Sequence, residues 1–285
     1  MKKIVLIVMT ALAIYTVCSA EDLKLMTFAD SLYDSGDYYR AITEYKRYIF
    51  YNPAGRDAGE ASYKIGLSYM AAEKWDGAIE AFESTALKSG GKISELSLLS
   101  EASAFAGKKD YEYSDMLLMR YCAGHEKSGM MDAVYYMQAY NKVHEKKWAE
   151  AVEKFRMVNG NEEIRNSSIK VAELLGKASG IQERNIILGV GLSAVLPGSG
   201  YYYCGRWIDG SFSMALNVYF MYNTYNAFAR RDGGMKLAYG LPALVIYLAN
   251  LYGTAAAVNK FNGDETGKFI KSADDMRIDV LKSQF

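Results

Sequence analysis

One spacing governs the first half of this chain. Four windows share a pattern of a small residue, an aromatic nine positions later, a small residue three further on and an aromatic four after that. They are Ala29/Tyr38/Ala41/Tyr45, Gly66/Trp75/Ala78/Phe82, Ala102/Tyr111/Ser114/Leu118 and Ala139/Trp148/Ala151/Phe155, the third ending in an aliphatic residue. Successive windows start 37, 36 and 37 residues apart. A fixed period of this length predicts helical pairs that cannot bury their apolar faces alone and stack into a solenoid. Small residues let two helices approach closely, and the rings fill the space between neighbouring pairs. Gly36-Asp37 and Lys74-Trp75 fall where the turn within a pair belongs, and Asn52-Pro53 stops the second helix of the first pair.

These windows resemble tetratricopeptide repeats, whose period is about 34 residues, with extra residues in the loop between copies. Residues 63–69 with 75–82 match the pattern best, and the third copy least, because Ser114 stands where Ala is usual. After the fourth copy, Asn161-Glu-Glu-Ile164 reads as a helix start, with Val171, Leu174 and Leu175 apolar and a stop at Gly180. This helix is expected to cap the solenoid, so that residues 21–180 form about four helix-turn-helix repeats plus a cap.

The resemblance implies that the first helices of successive repeats line a concave groove for a protein or peptide segment. Carried over, its lining is Met26, Asp30, Tyr33 and Asp34, then Tyr63, Leu67 and Met70, then Tyr136, Tyr140 and His144. Such a groove is aromatic and apolar with an acidic entrance. It lacks the Lys and Asn with which family members clamp a C-terminal carboxylate, so an extended hydrophobic or basic segment is the expected occupant. The same tyrosines also suit packing against the capping helix or against the membrane part.

Residues 1–20 read as a secretory signal peptide: Lys2 and Lys3, an apolar run from Ile4 to Val17, and Cys18-Ser19-Ala20 before Glu21. Lipid attachment at Cys18 is the alternative. Residues 181–262 are membrane-grade, with uncharged stretches over 185–205, 210–229 and 237–259. About twenty residues cross a bilayer core as a helix. Pro197-Gly-Ser-Gly200 interrupts the first stretch, which predicts a re-entrant segment over 185–205 followed by a transmembrane helical hairpin over 210–229 and 237–259. The basic loop from Arg230 to Lys236 should face the cytoplasm, and the repeats the exported, periplasmic side. Within the spans Asn217 and Asn250 need polar partners, and Ala249, Gly253 and Ala257 form a small-residue stripe. Residues 263–285 read as an amphipathic helical tail on the membrane surface or on the repeats.

Pro197-Gly198-Ser-Gly200-Tyr-Tyr-Tyr-Cys-Gly205-Arg206 resembles the Pro-Gly-x-Gly-x-x-Tyr-x-Gly-Arg signature of small bacterial modules with two transmembrane segments. Residues 247–262, from Tyr247 with Asn250-Leu-Tyr-Gly253 through Asn259-Lys-Phe-Asn262, resemble the closing segment of the same modules. The resemblance implies a place in a bacterial cell envelope rather than a chemistry.

Composition narrows the function. With 33 Lys+Arg against 33 Asp+Glu and no basic run, the chain lacks the positive field that binds nucleic acid. Two His and three Cys leave little for a metal cluster, and Cys122-Ala-Gly-His125 has no second pair to complete a site. Gly198-x-Gly200 precedes no Lys-Ser/Thr, which argues against a phosphate loop. No catalytic constellation, cofactor or metal is expected. The reading is an all-α, non-enzymatic tetratricopeptide scaffold anchored in an envelope membrane, with the bilayer and a protein segment as partners. Two alternatives are a membrane-active module for a small ligand or lipid that the repeats regulate, and a repeat protein like outer-membrane assembly factors.

Overall fold

The computed structural model describes residues 24–53, 55, 57–126 and 128–282. The expected leader over residues 1–20, and Cys18 with it, lies outside them. All regular structure among the described residues is helical. The described residues divide into two compact units, those up to 176 with 276–282, and 177–275.

The first unit begins with α1 over residues 24–34. It continues with α2 (Tyr38–Tyr51), α3 (Ala58–Ala71), α4 (Trp75–Lys88), α5 (Gly91–Gly107), α6 (Tyr111–Gly124), α7 (Met131–His144), α8 (Trp148–Arg156) and α9 (Glu162–Leu175). The aromatic at the second window position opens α2, α4, α6 and α8 in turn. Each helix from α2 to α9 packs on its predecessor or successor, and α3, α5, α7 and α9 also touch at every second step, the contact pattern of a stacked solenoid. The window residues form its core: Ala29, Ala41, Ala78, Phe82, Ala102, Leu118, Ala139 and Ala151 are wholly buried. Gly66 is small by necessity, because a Cβ there would run into the Phe82 ring.

The turn within each pair is one recurring structure. Gly36, Glu73, Lys109 and Lys146 all have positive φ, between 55° and 82°. The following amide bonds back over five residues: Asp37 to the Leu32 carbonyl, Lys74 to Tyr69, Asp110 to Phe105 and Lys147 to Lys142, at 2.9 to 3.0 Å. This is a Schellman closure, which satisfies carbonyls that a helix end leaves open. Only the first copy uses glycine there. The next residue caps the second helix, and the Asp37 and Asp110 side chains accept backbone N–H bonds where Lys74 and Lys147 make none. The capping helix α9 starts as expected, with the Asn161 side chain accepting from the Glu163 and Ile164 amides, and it buries Ile164, Val171 and Leu175.

The second unit contains α10 (Ile186–Val195), α11 (Ser199–Tyr203), α12 (Trp207–Ala229) and α13 (Gly233–Asp274). α12 and α13 pack along one another, and α10 packs on α13. Of the two expected spans, only α13 is long and apolar enough to cross a membrane among the described residues. α12 falls short on composition, since Ser211, Ser213, Asn217, Asn223, Thr224 and Asn226 dilute its apolar content. α13 begins at Gly233 and runs for 42 residues, with Pro242 inside it. The expected tail helix is also revised. Residues 263–274 are the end of α13, and 276–282 are not helical apart from one 3-10 position at 282.

Candidate functional site

The signature residues of the second unit are accounted for by packing. Gly198 has φ +94°, a conformation that glycine adopts without strain, and a Cβ there would collide with the Gly210 carbonyl. Its amide donates to Asn250 Oδ1 at 2.9 Å. The same oxygen accepts from Ser213 at 2.8 Å, while Asn250 Nδ2 donates to the Ser193 carbonyl at 3.2 Å. One buried amide thus joins the Pro197–Gly198 turn, α10 and α12 to α13. Gly200 donates to Ser193 Oγ at 2.9 Å, where a Cβ would strike Thr254. Gly205 supplies a second positive φ, and Arg206 pairs with Asp209 at 2.7 Å. Gly253 lies against the Tyr201 hydroxyl. The buried stripe of α13 is Asn250, Thr254, Ala257 and Val258, and Ala249, expected in it, is exposed. Asn217 is buried, donates to the Ser213 carbonyl at 2.8 Å, and leaves its own Oδ1 without a donor.

In the first unit the expected groove residues separate into three groups. Asp30, Tyr33, Asp34, Tyr63, Leu67 and Met70 line one cavity of about 560 Å³, together with Tyr45, Lys64, Ser100 and Ser103. Tyr136 and Tyr140 are buried further along the same row of first helices and pack on Phe155 with centroids 5.6 and 5.4 Å away. Met26 and His144 are placed elsewhere. Met26 points into the core of the first repeat, and His144 stacks on Tyr111 at 4.8 Å.

The acidic entrance is partly neutralised. Lys64 donates to both oxygens of Asp30 at 2.9 and 3.1 Å and pairs with Glu60 at 2.9 Å. Burial pulls the Lys64 ammonium down, but Asp30 and Glu60 more than offset this and hold it above its usual range. The Tyr45 hydroxyl donates to Asp30 at 2.6 Å, and Tyr63 bonds to Ser100 at 3.0 Å. Burial, together with the charges of Asp279 and Tyr33, pushes Tyr63 up to about 12 against a weaker pull from Ser100. Lys64 and the two serines carried no sequence signal, since only their position on the first helices brings them to this face.

Of the two places expected for the C-terminal tail, its last described residues take the repeats, where they lie in the groove and are not helical. Ser167 on α9 donates to the Met276 carbonyl at 2.9 Å, and the Ile278 N–H donates to the Tyr136 hydroxyl at 3.0 Å. Arg277 lies over the Tyr140 ring at 5.2 Å. Val280 is buried, and Asp279, Leu281 and Lys282 form one wall of the cavity. Residues 276–282 therefore run along the first helices from α9 towards α1. Tyr136 and Ser167 also bond to each other at 2.8 Å. Because the single Ser167 proton is engaged by Met276, Tyr136 is the donor in that bond. The result is a directed relay, Ile278 to Tyr136 to Ser167 to Met276, in which the groove binds a peptide N–H and C=O two residues apart.

Among the described residues no three His, Cys, Asp or Glu side chains gather as a metal site. A search of curated protein sequences gave no match. The family comparison bears on the repeats, where residues 60–88, within the stretch that folds as α3 and α4, match the model of the tetratricopeptide repeat.

Proposed function

We propose that this protein is a non-enzymatic scaffold of a bacterial envelope membrane, whose exported repeats hold an extended segment of a partner protein. The observation that carries this is the grip on a non-helical backbone by Ser167 and Tyr136. The groove's polar groups bond to one another and to that backbone, which suits holding a segment rather than transforming it.

Membrane anchoring is supported by an inverted polarity in residues 177–275. Ile187, Val195, Ile208, Phe212, Tyr225 and Tyr252 are 67–88% exposed, while Ser193, Asn217, Asn250 and Thr254 are buried. Only 22% of the most apolar stretch of α13 is buried, unlike the core helix of a soluble protein. Lipid is the solvent that fits such a surface.

The test is a photocrosslinking residue at Leu67, which lines the cavity, in the full chain in its native membrane. The expected adduct joins an extended segment of a second polypeptide and is lost when Tyr136→Phe and Ser167→Ala are added. Adducts with lipid alone would overturn the reading.

A further inference from the structure

We infer that residues 276–282 are a resident ligand of the groove, and that a partner enters by displacing them with a segment of the same pattern. That pattern is a cation facing Tyr140, a β-branched residue at the position of Val280, and a bulky apolar residue beyond it. The inference rests on reading the groove as a peptide-binding surface.

The shape of the segment is imposed by the groove. Met-Arg-Ile-Asp-Val-Leu-Lys contains neither Pro nor Gly, yet α13 ends at Asp274 and the chain is non-helical from Arg277 to Asp279. The chain then turns at 280–282, where the Leu281 and Lys282 amides donate to Asp279 Oδ1 at 3.2 Å. The contacts follow this order: Ser167 on α9 with Met276, Tyr136 and Tyr140 on α7 with Ile278 and Arg277, and then the cavity of α1, α3 and α5 with Asp279, Leu281 and Lys282. The backbone bonds accept any sequence, so selectivity falls to the Tyr140 face, the site of Val280 and the cavity.

The tail fills the cavity incompletely. Beside Leu281 and Lys282 about 560 Å³ remains, walled by Tyr33, Tyr63, Leu67 and Met70. This volume is in the range of ligand pockets. A partner with an aromatic residue there would gain contacts that the tail does not make. The tail has the advantage of tethering, which supplies an effective concentration on the order of 1 mM. If its own affinity is about 0.1 mM, the groove is open roughly one-tenth of the time, and a partner's apparent affinity falls about tenfold.

The experiment uses the full chain in detergent micelles and a fluorescent synthetic peptide of residues 275–282. The Val280→Asp chain should bind the peptide at least about tenfold more tightly than the unsubstituted chain. Adding Tyr136→Phe and Ser167→Ala should remove that gain, and a peptide carrying Leu281→Phe should bind more tightly than the parent. Equal affinity for the unsubstituted and Val280→Asp chains, lost in the triple variant, would overturn the resident-ligand inference and leave the groove standing. No binding to any chain would overturn both. Ile278→Pro, which deletes the N–H given to Tyr136, repeats the comparison should Val280→Asp lose its helical circular dichroism.

Discussion

The Ile278 N–H and the Tyr136 hydroxyl are 3.0 Å apart across 142 positions of chain. The hydroxyl in turn donates a hydrogen bond to Ser167, whose own hydroxyl donates to the Met276 carbonyl. Each member depends on the next, because Tyr136 is 1% exposed and water does not readily replace a lost partner.

Tyr136→Phe and Ser167→Ala should therefore be non-additive. Each alone leaves a polar group without its partner and costs about 1–3 kcal/mol. Together they should cost less than the sum, as expected for residues in one network. Urea unfolding of the four chains of a double-mutant cycle measures the coupling, and additivity within error would break the relay.

The repeated turn offers a stabilising change. Glu73, Lys109 and Lys146 hold the left-handed conformation that Gly36 adopts freely. Glu73→Gly should raise stability by about 0.5–1 kcal/mol. Lys74→Asp, which copies the caps at Asp37 and Asp110, should add about 1 kcal/mol. Gly36→Ala should lower stability, and thermal melting resolves all three signs.

Acid stability should involve Glu95. Hydrogen bonds from Tyr121 at 2.6 Å and Ser128 at 2.7 Å hold its carboxyl below the ordinary 4.5, despite some burial. A depressed carboxyl contributes stability above its unfolded value, and this is lost as pH falls through the folded value. Glu95→Gln should thus be less stable than the parent at pH 7, with the difference closing below 4.5. A difference that persists unchanged at pH 3 would assign the effect to packing instead.

In the second unit Asn250 accepts from two elements and donates to a third. Asn250→Leu strands the Gly198 amide and should cost about 2–3 kcal/mol. Gly198→Ala should be comparably damaging, through both the positive φ and the Gly210 carbonyl. Unfolding in detergent followed by tryptophan emission, with Trp207 in this unit, reads both variants.

Much of the fold was legible because the repeat repeats. The small and aromatic positions recur with the helical pairs, so Tyr38, Trp75, Tyr111 and Trp148 each open a helix. The groove was legible only in part. A shared face could be assigned to Tyr33, Tyr63 and Leu67, but Met26 turns into the first repeat's core and His144 is taken by the Tyr111 ring. The tail was misread for a physical reason: Met276, Ile278, Val280 and Leu281 among charged neighbours fit both an amphipathic helix and an alternating extended segment. Its tertiary partners decide between them. α12 was overcounted as a span because freedom from charge is a weaker criterion than hydropathy, and its three asparagines separate the two.

The most direct measurement is hydrogen exchange at the Ile278 amide in the full chain. If the groove holds this backbone, the amide, one residue inside a non-helical stretch, exchanges at least about tenfold more slowly than an open chain and speeds up in Tyr136→Phe. Exchange at the open-chain rate in the unsubstituted protein would contradict it.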